Sequence, residues 1–286
     1  MVCFDYVTQN VGKTSLTIYF PAFWSASDPR RAYLALAADA MQDSAETYNK
    51  YRGALKNTRL VFTELANGSK GTGDPTVWAE ADQDKAGCII GVYPSSTKEV
   101  PDTFKQIIAH EMFHCFQVSF LYTQAYVVKS TFNDWRVENS ADFFSNLVYP
   151  SVNLEWDNLP VFDINMKDND IFHGSYENSV FFQFLANNAG IKPAQIIDLL
   201  ASMPVSGGFS EQRSALAAFP DIDNLWHKFG QDYVDRKIND SSMTALPLNP
   251  RYQNIFSYAL GEKKGSFSVK PFMIKYSLDL FNTFAN

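Results

Sequence analysis

Two of the chain's four histidines stand four residues apart, with a carboxylate beside the first, in His110-Glu111-Met112-Phe113-His114. This spacing constrains the local fold more than any other feature of the sequence, because residues four apart share a face on an α-helix. The preceding residues, Pro101-Asp102-Thr103-Phe104-Lys105-Gln106-Ile107-Ile108-Ala109, read as the opening turns of that helix. Proline suits a first turn, and Asp102 or Thr103 can cap the free amides. On one helical face both imidazoles can reach a single zinc ion, and Glu111 lies beside the metal, where it could hold the water that zinc polarises. The plain alternative is a helix with two ordinary histidines. A chain of this length meets HExxH by accident on the order of once in a hundred, and the helical context lowers that further.

A zinc site that works on substrates takes a third protein ligand and keeps its fourth position open. The extended pattern HExxHxxGxxH fails, because Gln117 stands at the glycine position and Phe120 at the last histidine. The other source is a glutamate on a second helix. The segment Asn133-Asp134-Trp135-Arg136-Val137-Glu138-Asn139-Ser140-Ala141-Asp142-Phe143-Phe144 supplies it, with Asn133 as cap and Pro150 beyond the helix end. Glu138 is the ligand candidate. Asp142, one turn later on the same face, is placed to accept the free ring N–H of a ligand histidine, which fixes its tautomer. The competing reading for both is a solvated helix face; Trp135, Val137, Phe143 and Phe144 argue for a buried helix instead.

On these residues the chain resembles the gluzincin metallopeptidases, which carry HExxH on one helix and a ligating glutamate on the next. Trp135 to Asp142 is similar to their second motif, and the Glu-x-x-x-Asp spacing to the thermolysin-like branch. Asn139 stands where many relatives have glycine. A third segment, Tyr176-Glu177-Asn178-Ser179-Val180-Phe181-Phe182-Gln183-Phe184-Leu185-Ala186, resembles the gluzincin helix that opens on a tyrosine. The resemblance implies that Tyr176 stabilises the oxyanion, with His173 as the alternative donor; the competing reading of Tyr176 is an aromatic packed on the core. It covers about residues 15–235 and implies an α+β, zincin-like fold, a Zn2+ cofactor, and a peptide or protein substrate. Aminopeptidases of this clan carry a Gly-x-Met-Glu-Asn segment upstream that grips the substrate amine. None precedes His110, which favours an endopeptidase.

Length and composition suit one large globular unit or two packed halves: 286 residues, 46% hydrophobic and 15% aromatic. A net charge of −7 without a basic block disfavours nucleic acid and anionic membranes as partners. No apolar run is long enough to span a bilayer, and the first residues lack a signal-peptide core. An extracytoplasmic location is favoured if the native N-terminus is missing; compartment and oligomeric state are otherwise open. Three cysteines make no disulfide framework, and Cys115 reads as a buried free thiol, with a cysteine–histidine nucleophile as the weaker option. A serine hydrolase is disfavoured by the lack of a Gly-x-Ser-x-Gly elbow.

The expected organisation is an N-terminal α/β part over 1–120 that carries the HExxH helix. A helical part over 121–245 carries the third ligand, and a tail over 246–286 reads as a strand or the start of a β module. Strands are expected at Ser15–Phe20, Thr58–Thr63 and Gly87–Tyr93, the last lining the cleft around Gly91 to Tyr93. A long helix is expected from Ser27 to about Arg52, stopped by Gly53, with Tyr33, Leu34, Ala37, Met41, Ala45 and Tyr48 inward. Asn67 to Pro75 reads as a flexible loop, and Gly12-Lys13-Thr14 as a turn, since neither forms a complete phosphate loop. The stretch from Pro150 to Phe172 reads as a loop on the cleft wall; Asp163 to Asp168 only hints at calcium, because Lys167 takes a ligand position. Helices follow at about 176–188, 193–203, 211–218 and 221–233. His227 reads as a surface or packing residue. Besides a zinc endopeptidase, the sequence leaves open a catalytically silent zincin-fold binding module and an aminopeptidase without the usual amine anchor.

Overall fold

The structure, a computed structural model, describes residues 3–64, 77–121, 135–166, 169–203, 208–247, 255–257, 272, 274 and 278–280. Its architecture is mixed α+β: a five-stranded sheet, then a mainly helical second half. Strands β1 (Phe4–Val11) and β2 (Thr14–Pro21) pair antiparallel through the turn Gly12-Lys13. Strand β3 (Thr58–Phe62) runs parallel to β2, and β5 (Gly87–Val92) parallel to β3. Strand β4 (Ala79–Asp84) closes the sheet antiparallel to β5. Along β2 and β3 every second residue is buried, so one face lies on the core.

The arrangement of β4 and β5 corrects an expectation. Residues Gly91 to Tyr93 do not form the edge beside the cleft, because β5 is hydrogen-bonded on both sides, to β3 and β4. The edge is β4. Its sequence, Ala-Glu-Ala-Asp-Gln-Asp, is poor in strand formers, and tertiary pairing overrides that propensity. The turn from β4 into β5 needs a glycine: Gly87 has φ 134°, and a Cβ there would fall 2.1 Å from the Asn57 carbonyl oxygen.

Helix α1 (Ala32–Arg52) follows a 3-10 turn capped by Asp28 and stops at Gly53, φ 102°. Its buried face includes Ala37, Met41, Ala45 and Tyr48, with Tyr33 and Leu34 half-buried against the core. Helix α2 (Pro101–Phe120) carries HExxH. Pro101 sits in its first turn as expected, but the cap position falls on Val100, and neither Asp102 nor Thr103 caps the helix. Helix α3 (Trp135–Val148) carries Glu138 and Asp142; the expected cap Asn133 lies outside the described residues. Aromatic packing joins the three helices: the Phe113 and Phe144 rings stack at 4.2 Å, and the buried Tyr48 hydroxyl donates to the Ala109 carbonyl at 3.0 Å.

Cys115 is not a free thiol. It forms a disulfide with Cys88 of β5, with Cα atoms 5.5 Å apart. The two lie 27 residues apart in sequence, and only the packing of α2 across β5 brings them together. The bond removes Cys115 as a nucleophile. Cys3 is free and exposed.

The segment after Pro150 is more ordered than a loop. A 3-10 helix at Leu154–Asn158 runs into α4 (Leu159–Asn165), which Leu159 and Phe162 anchor in the core. Asp163 belongs to α4 and accepts from the Tyr233 hydroxyl; Lys167 and Asp168 lie outside the described residues. The helix expected over 176–188 is three joined pieces: a 3-10 turn at Tyr176–Asn178, α5 (Ser179–Gln183) and a π-turn at Phe184–Asn188. Helices α6 (Pro193–Ser202), α7 (Phe209–Ala217) and α8 (Ile222–Val234) follow close to their expected bounds. His227 is exposed on α8. Short parallel strands β6 (Ile255–Ser257) and β7 (Leu278–Leu280) form a second sheet. Phe272 and Ile274 are buried in the main core, so this part of the tail packs back on the body. The loop at Asn67 to Pro75 and most of Phe267 to Leu280 lie outside the described residues.

Candidate metal centre

Helices α2 and α3 bring three side chains to one point. His110 Nε2 and His114 Nε2 are 3.0 Å apart. Glu138 Oε2 lies 3.3 Å from the first and 3.4 Å from the second. A tetrahedral zinc with bonds of about 2.0–2.2 Å separates neighbouring ligand atoms by about 3.3–3.5 Å. The donor set therefore fits zinc in both chemistry and spacing. Ligand atoms of His110, Glu111 and His114 also fall within 4.8 Å of one another.

The outer nitrogen of each imidazole is held. His110 Nδ1 lies 2.8 Å from Asp142 Oδ1. His114 Nδ1 lies 2.8 Å from Gln117 Oε1. Gln117 was not anticipated as a site residue. Its amide nitrogen in turn donates to the Val137 carbonyl and to Ser140 Oγ, both at 2.8 Å, which ties α2 to α3 next to Glu138. The available signal was its position one turn after His114 on the same helix. With their outer nitrogens held by oxygen acceptors, both rings bring Nε2 to the point where Glu138 Oε2 lies.

Electrostatics at the site follow from burial and close charge. Burial alone would lower the His110 pKa, but hydrogen bonds to Asp142 and Glu138 carry it well above the ordinary value. His114 is also raised, burial opposing and Glu138 prevailing. Glu138 is held well below the usual carboxylate range, because the two imidazoles outweigh its burial. Burial raises Glu111 and Asp142 despite the nearby histidines. Glu111 is 7% exposed, and its Oε2 has no hydrogen-bond partner.

Tyr176 stacks on His110 with ring centroids 6.0 Å apart. Burial, then the carboxylates of Glu138 and Asp142, push its phenol well up. His173 is placed differently. Its Nδ1 is 2.6 Å from Asp170 Oδ1, its ring packs 4.7 Å from Phe209, and it is not among the residues lining the cavity beside His110.

That cavity measures about 430 Å³, and His110, Glu111 and Tyr176 are part of its lining. Edge strand β4 forms one wall with Ala79 and Glu80, and the 3-10 helix at Leu154–Asn158 forms another with Glu155 and Asp157. The segment after Pro150 therefore does supply cleft wall, as a helix. Glu155 is buried; its two oxygens accept from Gln106 Nε2 and Gln183 Nε2, each at 2.7 Å. Burial, with Asp142 nearby, pushes its carboxyl up to about 8. Glu80 Oε2 accepts from the Tyr93 hydroxyl at 2.8 Å.

No protein-family model matches the chain, nor does any curated protein sequence. The solved structures that the chain matches include the following two. One is an aminopeptidase N family protein from Idiomarina loihiensis, with TM-score 0.48 and 10% identity over 82% of this chain and 46% of that one. The other is a mutant of an M1 zinc metallopeptidase from Deinococcus radiodurans, with TM-score 0.43 and 7% identity over 86% of this chain and 53% of that one. The chain thus spans about half the length of these structures.

Proposed function

We propose that this chain is a zinc-dependent metallopeptidase of the gluzincin kind, cleaving internal bonds of a peptide or protein substrate. The observation that carries this reading is the convergence of His110, His114 and Glu138 at zinc-ligand spacing, beside a cavity that a further buried carboxyl, Glu111, helps to line. When bound there, zinc supplies a Lewis acid that activates water and polarises a carbonyl.

The chain's own residues do the rest. Asp142 and Gln117 keep the outer imidazole nitrogens protonated, so the inner ones stay available as ligands. Glu111 takes a proton from the attacking water and passes it to the leaving amine; its burial-raised pKa suits both tasks. The Tyr176 hydroxyl donates to the carbonyl oxygen as charge builds there, and its raised pKa keeps the proton in place for donation. His173, paired with Asp170, is the lesser alternative for this role. The outer edge of β4 offers main-chain groups to an extended substrate.

Metal analysis of the purified protein beside Glu138→Ala tests the reading. Stoichiometric zinc in the parent, lost in the variant, is expected; equal zinc in both would remove Glu138 as a ligand. The endopeptidase preference rests on the missing amine-anchoring motif. Glu80, a carboxylate on the edge strand facing the cavity, is the observation that favours an aminopeptidase as the second reading. Cleavage of amino-blocked against free-amine peptides separates the two. A zinc-loaded protein inert toward a broad peptide library would instead make the chain a silent binding module.

A further inference from the structure

The cavity beside the metal centre is lined by ionisable groups that the proposed hydrolysis does not use. Its far wall carries Glu155, a carboxyl 2% exposed, and the exposed Asp157. The hydrogen bonds that hold Glu155, from Gln106 and Gln183, come from neutral amides. A carboxylate presents about four lone-pair sites, so each Glu155 oxygen can accept again. Among the described residues no lysine or arginine lines the cavity, while Trp78 is part of its lining. A buried carboxyl faced only by neutral donors is costly to ionise until a cation arrives. Independently, Glu111 lines the same cavity, and its buried Oε2 has no hydrogen-bond partner.

We infer that this cavity receives a cationic side chain, lysine or arginine, on a residue flanking the scissile bond, with Glu155 and Asp157 as its counter-charges. The inference rests on the peptidase reading for its substrate class. The aromatic face of Trp78 adds a surface on which a guanidinium can lie. Glu155 recognises the charge from within the wall, and Asp157 draws it in from the mouth, where salt screens its effect.

The test has a turnover arm and a binding arm. In the first, zinc-loaded protein cleaves a blocked peptide series that varies one residue on either side of the bond among arginine, lysine, norleucine and glutamate. In the second, calorimetry on Glu111→Gln, which removes the proton-transferring group, measures binding of the same peptides. Arginine and lysine should exceed norleucine by about tenfold in kcat/KM and in affinity, and glutamate should rank last. Glu155→Gln and, separately, Asp157→Asn should each shrink the arginine-to-norleucine ratio. That ratio is unaffected by a loss of folded protein. Cleavage without a basic preference overturns the pocket and leaves the peptidase reading intact. Tighter binding of basic peptides without any cleavage upholds the pocket and overturns the peptidase reading. Equal affinity for the three classes in the binding arm overturns the pocket by itself.

Discussion

Glu111 and Glu138 are both buried carboxylates, yet their surroundings push them in opposite directions. Glu138 touches two imidazoles and stays ionised, as the proposed ligand role requires; Glu111 keeps an oxygen without a partner and a raised pKa, as the proposed proton-carrying role requires. Glu111→Gln should therefore retain zinc while lowering kcat by at least about 10²-fold; near-parental turnover would exclude Glu111 as the base. Tyr176→Phe should lower kcat by on the order of 10²-fold, about 3 kcal/mol, with zinc content unchanged. His173→Ala, measured in parallel, should have the smaller effect, and the reverse order would exchange their roles. Gln117→Ala frees His114 Nδ1 and should weaken zinc affinity about 10- to 100-fold in a competition titration against a chelator.

Helix α2 is fixed from two sides. Toward the sheet, the Cys88–Cys115 disulfide ties it to β5 immediately after His114; toward α3, Gln117 bridges to Val137 and Ser140. The cross-link closes a loop with a sequence separation of 27 residues, for which chain-entropy arguments give about 3–4 kcal/mol. The double variant Cys88→Ser with Cys115→Ser should lose about that much in urea unfolding. Unchanged stability would mean that the bond contributes nothing in solution. Element by element, legibility followed local signal. Helix α2 was readable from Pro101 and the four-residue spacing of His110 and His114, and α1 from its stripe and Gly53. Strand β4 was not, because its residues disfavour strands and only pairing with β5 makes it one. The 3-10 helix and α4 after Pro150 were hidden by an Asn- and Asp-rich composition, although Leu159 and Phe162 are what anchor them.

Across the whole molecule, buried titratable groups couple stability to pH. Glu155 is raised from 4.5 to about 8, so the folded state keeps a proton that the unfolded chain has released within that window. Stability of the metal-free protein therefore falls as pH rises from about 4.5 to 8, by on the order of a few kcal/mol, and levels off above. His110 and His114 act in the same sense: their contribution is full below the unfolded value near 6.5 and is lost as pH rises through their higher folded values. Glu138, depressed, contributes above 4.5 and loses that contribution only in strong acid. The metal-free Tm should be higher at pH 6 than at pH 8.5, by on the order of 5 °C. Zinc should oppose this trend, because it binds the deprotonated imidazoles. A metal-free Tm that rises over the same interval would contradict the raised Glu155. The sequence by itself determined the helix that presents His110, Glu111 and His114, and the second helix that offers Glu138 and Asp142, because helical periodicity is a local property. Only the tertiary structure decided that Cys88 meets Cys115, that Gln117 supports His114 while binding α3, that β4 forms the edge of the cleft, and that Glu155 lines its wall. Those contacts join residues distant in the chain, and they exist only once the sheet and the helices have packed together.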